Sequence, residues 1–545
     1  MNNIEKNPVK TSGRSTGDRE PGKSAYLPQV ARGAVINFSG IAGRTVLVYG
    51  YTFLLARMLS VGELGEYFLM LTIINLLGLA AMVGLDTGVV RYVALYAGEG
   101  RMRLARKTLK AGLMFGIPVS LVFAGALFIG AQYVSDHFFE SSVEAVTGIR
   151  IFSMAIPFLV AARLFNATTQ GMHKMKYQVL SRDIGEQIAK IGFSAVMLLM
   201  GGGLIGVVWA NVASTGTAVA LAFVFALIVL AGPTGSNDEG ARPAAAVLRY
   251  SFPLAFANIV VALLLWIDTL LLGYLGSPED VGFYGVALKI SVIGAKIITA
   301  FVIVFTPIIA DLWNRGRIAE LKELYITVSR WIFMLSVPVF LLLTLFSDSL
   351  MRIFGSNFVA GSAALVFLAI GQLLSATTGA AGLMVLMSGH SRLELFNVSV
   401  TLAVNATLCF LLIPRYGIIG AAIAHMSGLG LVNLLRVTEI WILMRMYAYD
   451  SSYIKPIISA VASAAVIGFI GRYVIVYAGL TQIVALASLL LFIYVLDIIL
   501  FGLEEQYKAM LRQLTDSAIG NRMARSVLHL EAMQKQVCQR TVAVC

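Results

Sequence analysis

Apolar runs of roughly 18 residues or more, each long enough to cross a bilayer as a helix, follow one another almost to the end of this 545-residue chain. Backbone polar groups must be satisfied inside lipid, so such runs read as helices. Nothing shows the two-residue alternation of a barrel strand. Charged residues make up 13% of the chain, against about a quarter in a soluble domain. The fold class is therefore all-α integral membrane protein.

The net charge of +12 does not point to nucleic acid. Basic residues gather on alternate loops, which is a topological signature. Three cysteines, Cys409, Cys538 and Cys545, form no metal or disulfide pattern, and no prenylation box is present.

The chain is internally duplicated. LLARMLSVGELGEYFLM from Leu54 returns, thinned, 217 residues later as LLGYLGSPEDVGFYGVA from Leu271, with Gly65 over Gly282 and Tyr67 over Tyr284. Ile117-Pro118-Val119 returns as Val337-Pro338-Val339. The run from Ala155, ending at Gln170-Gly171-Met172-His173-Lys174, returns from Ala369, ending at Ser388-Gly389-His390-Ser391-Arg392. GLIGVVWANVAS from Gly203 returns as GIIGAAIAHMSG from Gly417. Four echoes in the same order at a near-constant offset mark a repeat architecture.

Charge on the loops sets the expected topology. Residues 1–32 are polar and read as a disordered cytoplasmic tail. The first span runs from about Gly33 to Leu59, and the Glu63/Glu66 turn after it lies outside. Arg91 to Lys110 lie inside, Asp136 to Glu144 outside, and Lys174, Lys176 and Arg182 inside. The turn of Gly201–Gly203 is outside. The predicted organisation is an N-lobe over 33–231 (spans 1–6), a cytoplasmic linker over 232–248, and a C-lobe over 249–446 (spans 7–12). Two further spans fall in 456–503. A cytoplasmic amphipathic tail occupies 504–545, its apolar positions Tyr507, Met510, Leu511 and Leu514 at helical spacing, with a partner-binding role as the lesser reading. That makes about fourteen helices with both termini cytoplasmic. The expected location is the cytoplasmic (inner or plasma) membrane.

The stretch from Leu54 to Tyr67, followed by Gly84-Leu85-Asp86-Thr87-Gly88-Val89-Val90-Arg91-Tyr92, resembles the first two helices of bacterial and archaeal polysaccharide-transport proteins. Trp266 to Gly273 resembles that family's seventh helix, and Gln170-Gly171 through Tyr177 its fourth-to-fifth loop. The resemblance covers roughly residues 33–503. It implies the fold of the multidrug/oligosaccharidyl-lipid/polysaccharide exporter superfamily, two six-helix lobes in a V around a cavity that opens alternately to either side. The implied activity is flipping of polyprenyl-linked oligosaccharide for surface or exopolysaccharide.

Such a substrate needs a wet cationic cavity, so ionisable residues inside the spans are the first candidates. Arg44 falls near the midplane of the first span; it either lines the cavity or makes an interhelical hydrogen bond. Lys289 and Lys296 stand on one face of the eighth span, and Lys296 is the second candidate phosphate contact. Asp268 lies at about the depth of Lys289, so an Asp268–Lys289 ion pair competes with an ion-coupling role for Asp268. Arg163 either reaches the cavity or snorkels to headgroups. Arg57 and Arg91 read as interfacial anchors, with Arg91 also a candidate at the cytoplasmic mouth. Asp86 is a second ion-pair or coupling candidate. Glu186 and Lys190, at i,i+4, neutralise each other. Pro118, Pro157, Pro307 and Pro338 interrupt apolar spans and are expected to kink them.

No cofactor or metal is expected. The Gly201–Gly206 G-x-G-x-x-G match follows no strand, the five histidines are scattered, and no Walker motif occurs. Expected partners are the polyprenyl-linked glycan, H⁺ or Na⁺, membrane lipids and a glycan polymerase. Rival readings are a lipid II flippase, a drug/cation antiporter of the same superfamily and, outside transport, a membrane glycan polymerase. An antiporter calls for an acidic cavity and a polymerase for a sizeable outer loop; the longest outer loop here runs roughly from Ser135 to Thr147. An enzyme is not expected.

Overall fold

The computed structural model describes residues 43–231, 243–449, 453–474 and, within 485–496, all but 487 and 495. The expected N-terminal tail, the start of the first span, most of the linker and of the last span, and the amphipathic tail lie outside the described residues.

Every regular element among the described residues is helical. Helix α1 covers 43–58, followed by α2 (Val61–Met82), α3 (Leu85–Gly98) and α4 (Met102–Ile129). Then come α5 (Ala131–Phe138), α6 (Val143–Ser153) and α7 (Ala155–Gly171). The next span is split into α8 (Met175–Gln178), a π-helical segment (Val179–Gly185) and α9 (Glu186–Leu199). Helix α10 (Gly203–Leu230) closes the first half. The second half holds α11 (Pro243–Leu275), α12 (Pro278–Ser291), α13 (Ala295–Asn314), α14 (Ile318–Leu345), α15 (Ser347–Phe354), α16 (Ser362–Thr378), α17 (Ala381–Met387) and α18 (Ser391–Met444); α19 is Ile454–Val474.

Nine helical stretches among the described residues are long and apolar enough to cross a membrane. The nine are counted among the described residues alone: the first and the last two of the fourteen expected spans lie partly outside them, the fifth is interrupted, and one long helix holds two. Helix α18 has 54 residues, about 80 Å if straight, far more than ~30 Å of hydrocarbon. Gly417, at φ +54°, breaks it into two spans, with Pro414 just ahead of the turn. The fifth and eighth spans are each interrupted, by the π-helical segment and by the turn between α12 and α13.

The repeated stretch shows why its residues recur. Ser60 caps α2, accepting from the Glu63 amide while the Glu63 side chain accepts from the Ser60 amide. Ser277 and Asp280 make the same reciprocal cap on α12. One turn on, α2 and α12 cross at Gly65 and Gly282. A Cβ on Gly65 would collide with the carbonyl of Pro278, and one on Gly282 with that of Val61. Lipid gives helices no hydrophobic reason to associate, so close packing at small residues holds the two halves together. At the other end of α2 the halves meet again: Gly84 and Gly88 at the start of α3 abut Ser251 and Val247 of α11. Large apolar side chains such as Ile129 and Leu199 stay exposed on the outside, as lipid-facing residues do.

Candidate functional site

A cavity of about 460 Å³ opens in the first half, among α1, α2, α3, α7, the π-helical segment, α9 and α10. Three guanidinium groups line it: Arg44, Arg163 and Arg182. Asp86 and Glu186 line it too. Arg44 Nη1 lies 3.2 Å from Asp183 Oδ1 and remains half exposed. The charges close enough to act on Arg163 are Arg182, Asp86 and Glu186. Glu186 also lies 3.7 Å from Lys190, the i,i+4 pair expected from sequence. With those pairs formed, Arg163 and Arg182 stand on the wall against Asp86, and the wall keeps a basic excess.

The remaining polar wall is mostly amide. Asn75, Asn166, Gln170, Gln178 and Gln187 line the cavity, with Thr87 and Thr215. An amide donates and accepts at once, which suits a polyhydroxylated ligand. Asn166 Oδ1 accepts from Ser181 Oγ at 2.8 Å, tying α7 to the π-helical segment. That segment closes its hydrogen bonds one residue further on than an α-helix, and such bulges often mark functional places. Here it carries both Arg182 and the Asp183 that meets Arg44.

The sequence candidates are distributed unevenly about this cavity. Arg44, Arg163 and Asp86 are on its wall. Asp86 accepts from the Thr87 amide at 2.8 Å. Lys296, at the start of α13, is partly buried and near enough to feel the charge of Arg44, yet stands off the wall. Arg91 is exposed, its guanidinium 4.3 Å from the ring centroid of Tyr250 on α11. Arg57 donates to the Ile353 carbonyl at 2.6 Å, joining α1 to α15.

The Asp268–Lys289 pair does not form. Asp268 is fully buried, accepting from the Tyr284 hydroxyl and lying 2.8 Å from His425 Nδ1. Lys289 instead donates to Thr52 Oγ1 at 3.3 Å and sits 3.8 Å over the Phe68 ring. Equal depth from sequence put the two on one level; the faces of their helices point them to different neighbours.

Sequence reasoning missed Arg182 and the amides. Arg182 counts in a loop tally as an inside-facing base, because the π-helical segment that draws it into the wall has no hydropathy signature. The amides carry no charge and do not interrupt an apolar average. His425 was one of five scattered histidines; only the repeat, which sets it over Asn211, marks its position.

The family model described as "Polysaccharide biosynthesis protein" matches residues 30–313, just over half of the chain. The model described as "MatE" matches residues 253–411. Comparison with curated proteins returns no match. Among solved structures, the fold is similar to a lipid II flippase MurJ in an inward closed conformation, with TM-score 0.67 and 13% identity over 86% of this chain and 98% of that one. It is also similar to an inward-facing multidrug resistance MATE family transporter of the MOP superfamily, with TM-score 0.57 and 16% identity over 74% and 94% of the two chains. A MOP superfamily transporter from Pyrococcus furiosus gives TM-score 0.54 and 15% identity over 78% and 99%. At these identities the likeness is one of fold.

Proposed function

Because the chain belongs to the polysaccharide biosynthesis protein family and has a MOP superfamily transporter fold, we propose that it flips a polyprenyl-(pyro)phosphate-linked oligosaccharide across the cytoplasmic membrane by alternating access. The observation that carries this reading is the wall of the cavity: Arg44, Arg163 and Arg182 together with five amides. Guanidinium groups match phosphate oxygens in a planar, two-donor geometry. Amides bond sugar hydroxyls without choosing charge. A lipophilic organic cation would meet the wrong sign of field here, which disfavours the drug/cation antiporter. A lipid II flippase remains the second reading, favoured by the likeness of fold to one.

In this mechanism the phosphate head enters among Arg163, Arg182 and Arg44, and exchanges with Asp183 for the Arg44 guanidinium. The glycan lies against Asn166, Gln170 and Gln187, and the polyprenyl tail stays in lipid. Lys296 adds positive potential beside Arg44, and Arg91 stands at the cytoplasmic mouth. Lobes over 33–231 and 249–446 rock against each other by opening the α2–α12 and α3–α11 crossings in turn, with spans 13 and 14 outside the duplicated core and both termini cytoplasmic. A glycan polymerase would draw the product away on the outer face.

The test is complementation of a strain lacking the gene, at matched membrane levels. Arg163→Ala and Arg182→Ala are expected to lose surface glycan and to accumulate polyprenyl-linked units on the cytoplasmic face. Normal glycan in both variants, or a deletion that changes only drug tolerance, contradicts the proposal.

A further inference from the structure

The π-helical segment is packed on α10 at both ends and tied in its middle by side chains. Just before it, the Tyr177 ring stacks on Phe225 of α10, the centroids 4.8 Å apart. At its last residue, Gly185, a Cβ would come within 2.6 Å of Leu221 on the same helix and 2.8 Å of the Leu180 carbonyl. Between these points lie Ser181, Arg182 and Asp183. Ser181 Oγ donates across to Asn166 Oδ1 on α7 at 2.8 Å, and both residues are buried. The same hydroxyl stands 3.3 Å from the Gln178 carbonyl, three residues back. One hydroxyl proton thus has two acceptors, one on a neighbouring helix and one local.

The second half shows the local bond in use. Carried on from the echo that sets Gly171 over Gly389, the offset of 218 residues places Ser399 at the position of Ser181. Ser399 donates to the Leu395 carbonyl of its own helix at 2.7 Å, and this part of α18 is unbroken α-helix. The offset grows from 214 to 218 between Ala369 and Gly389, so the residue opposite Asn166 is one of Ala380 to Met384, all without polar side chains. Where no amide faces it, the serine turns to its own helix and the helix stays α.

A sugar hydroxyl is the same kind of donor as Ser181. Asn166 lines the cavity, so a glycan hydroxyl there competes with Ser181 for the amide oxygen. The exchange conserves hydrogen bonds: the sugar O–H takes Asn166 Oδ1, and the Ser181 O–H falls to the Gln178 carbonyl. What is lost is the tie between α7 and the segment that carries Asp183, the acid that meets Arg44.

We infer, resting on the flippase reading above, that Ser181 is a positioning residue that couples the two parts of the substrate. Glycan at Asn166 frees the segment, Asp183 releases Arg44, and the guanidinium turns to the phosphate. Without glycan the segment stays tied and Arg44 stays with Asp183. A phosphate that brings no sugar therefore meets a site with one of its three guanidinium groups engaged.

The test is binding to the full chain in lipid nanodiscs, with two soluble probes. One is inorganic pyrophosphate; the other is the oligosaccharide released by mild acid from lipid-linked units. In wild type, saturating oligosaccharide should tighten pyrophosphate binding roughly two- to tenfold, the weight of the one hydrogen bond exchanged. Pyrophosphate should tighten the oligosaccharide by the same factor. Ser181→Ala should bring that factor to one while binding pyrophosphate alone more tightly than wild type does, a gain that misfolding cannot supply. Ser181→Thr keeps the hydroxyl and should keep the coupling. Pyrophosphate affinity indifferent to the oligosaccharide in wild type overturns the inference whether or not the variants fold, and so does coupling that survives in Ser181→Ala. Flipping in proteoliposomes separates the two claims. Wild type that flips no polyprenyl-pyrophosphate glycan overturns the flippase reading; wild type that flips it without coupled binding overturns the role of Ser181 alone.

Discussion

Gly65 and Gly282 stand at equivalent places in the two halves, and each lays its bare α-carbon against the other's helix. The reciprocal caps one turn earlier, Ser60 with Glu63 and Ser277 with Asp280, bring both helices to this crossing in the same way. Any side chain at either glycine must part α2 from α12.

Gly65→Val should therefore destabilise the protein by about 1–3 kcal/mol, the usual cost of overpacking. Thermal unfolding in detergent reads this as a lower Tm. A Gly62→Cys, Glu279→Cys pair, whose side chains would meet across the same crossing without touching backbone, should cross-link under mild oxidation and stop transport reversibly. Cross-linking that leaves transport running would mean that this crossing does not open.

The cavity bases should act through their hydrogen bonds as well as their charge. A bond to a charged group is worth about 1.5–3 kcal/mol, so Arg182→Ala should slow flipping roughly ten- to a hundredfold. Arg182→Lys keeps the charge and loses the planar fork, and should fall between. A lysine variant as poor as alanine would assign the role to shape, and one as good as wild type to charge alone.

Much of this fold is legible in the sequence, for identifiable reasons. Helix length is set by bilayer thickness, so hydropathy finds the spans. The duplication preserves the residues whose backbone position allows no alternative, Gly65 and Gly282 above all. Arg44, Arg163 and Asp86 stand out because a charge inside an apolar run is conspicuous. What escapes is orientation. Asp268 and Lys289 share a depth, yet Asp268 turns toward Tyr284 and His425 and Lys289 toward Phe68 and Thr52. Hydropathy also averages over Gln170, Gln178 and Gln187, and it sees nothing of the π-helical segment that turns Arg182 inward.

The amide wall makes a prediction that separates glycan from phosphate recognition. Gln170→Leu and Gln187→Leu should each cost about 0.5–1.5 kcal/mol, one net hydrogen bond, on a long glycan. On a polyprenyl pyrophosphate bearing a single sugar the penalty should shrink. Equal losses on both donors would place these amides against the phosphates instead.

Lys289 offers a contrast in stability. Its ammonium is held by a hydroxyl and an aromatic face, and no carboxylate among the described residues pairs with it. Replacing a buried charge by an apolar side chain of similar volume is often neutral or stabilising, so Lys289→Met should hold or raise the Tm. A marked loss of Tm would show that the cation–π contact with Phe68 outweighs the burial of charge.

The most direct measurement is flipping itself. Purified full-length protein in proteoliposomes, with polyprenyl-pyrophosphate oligosaccharide in both leaflets and a membrane-impermeant glycan-trimming enzyme outside, reports how fast inner-leaflet glycan becomes accessible. Rapid trimming of the inner pool by wild type, slowed to the protein-free rate by Arg163→Ala with Arg182→Ala, is the expected result. An inner pool that stays protected from trimming with wild-type protein present, in liposomes that nevertheless take up an organic cation, contradicts it.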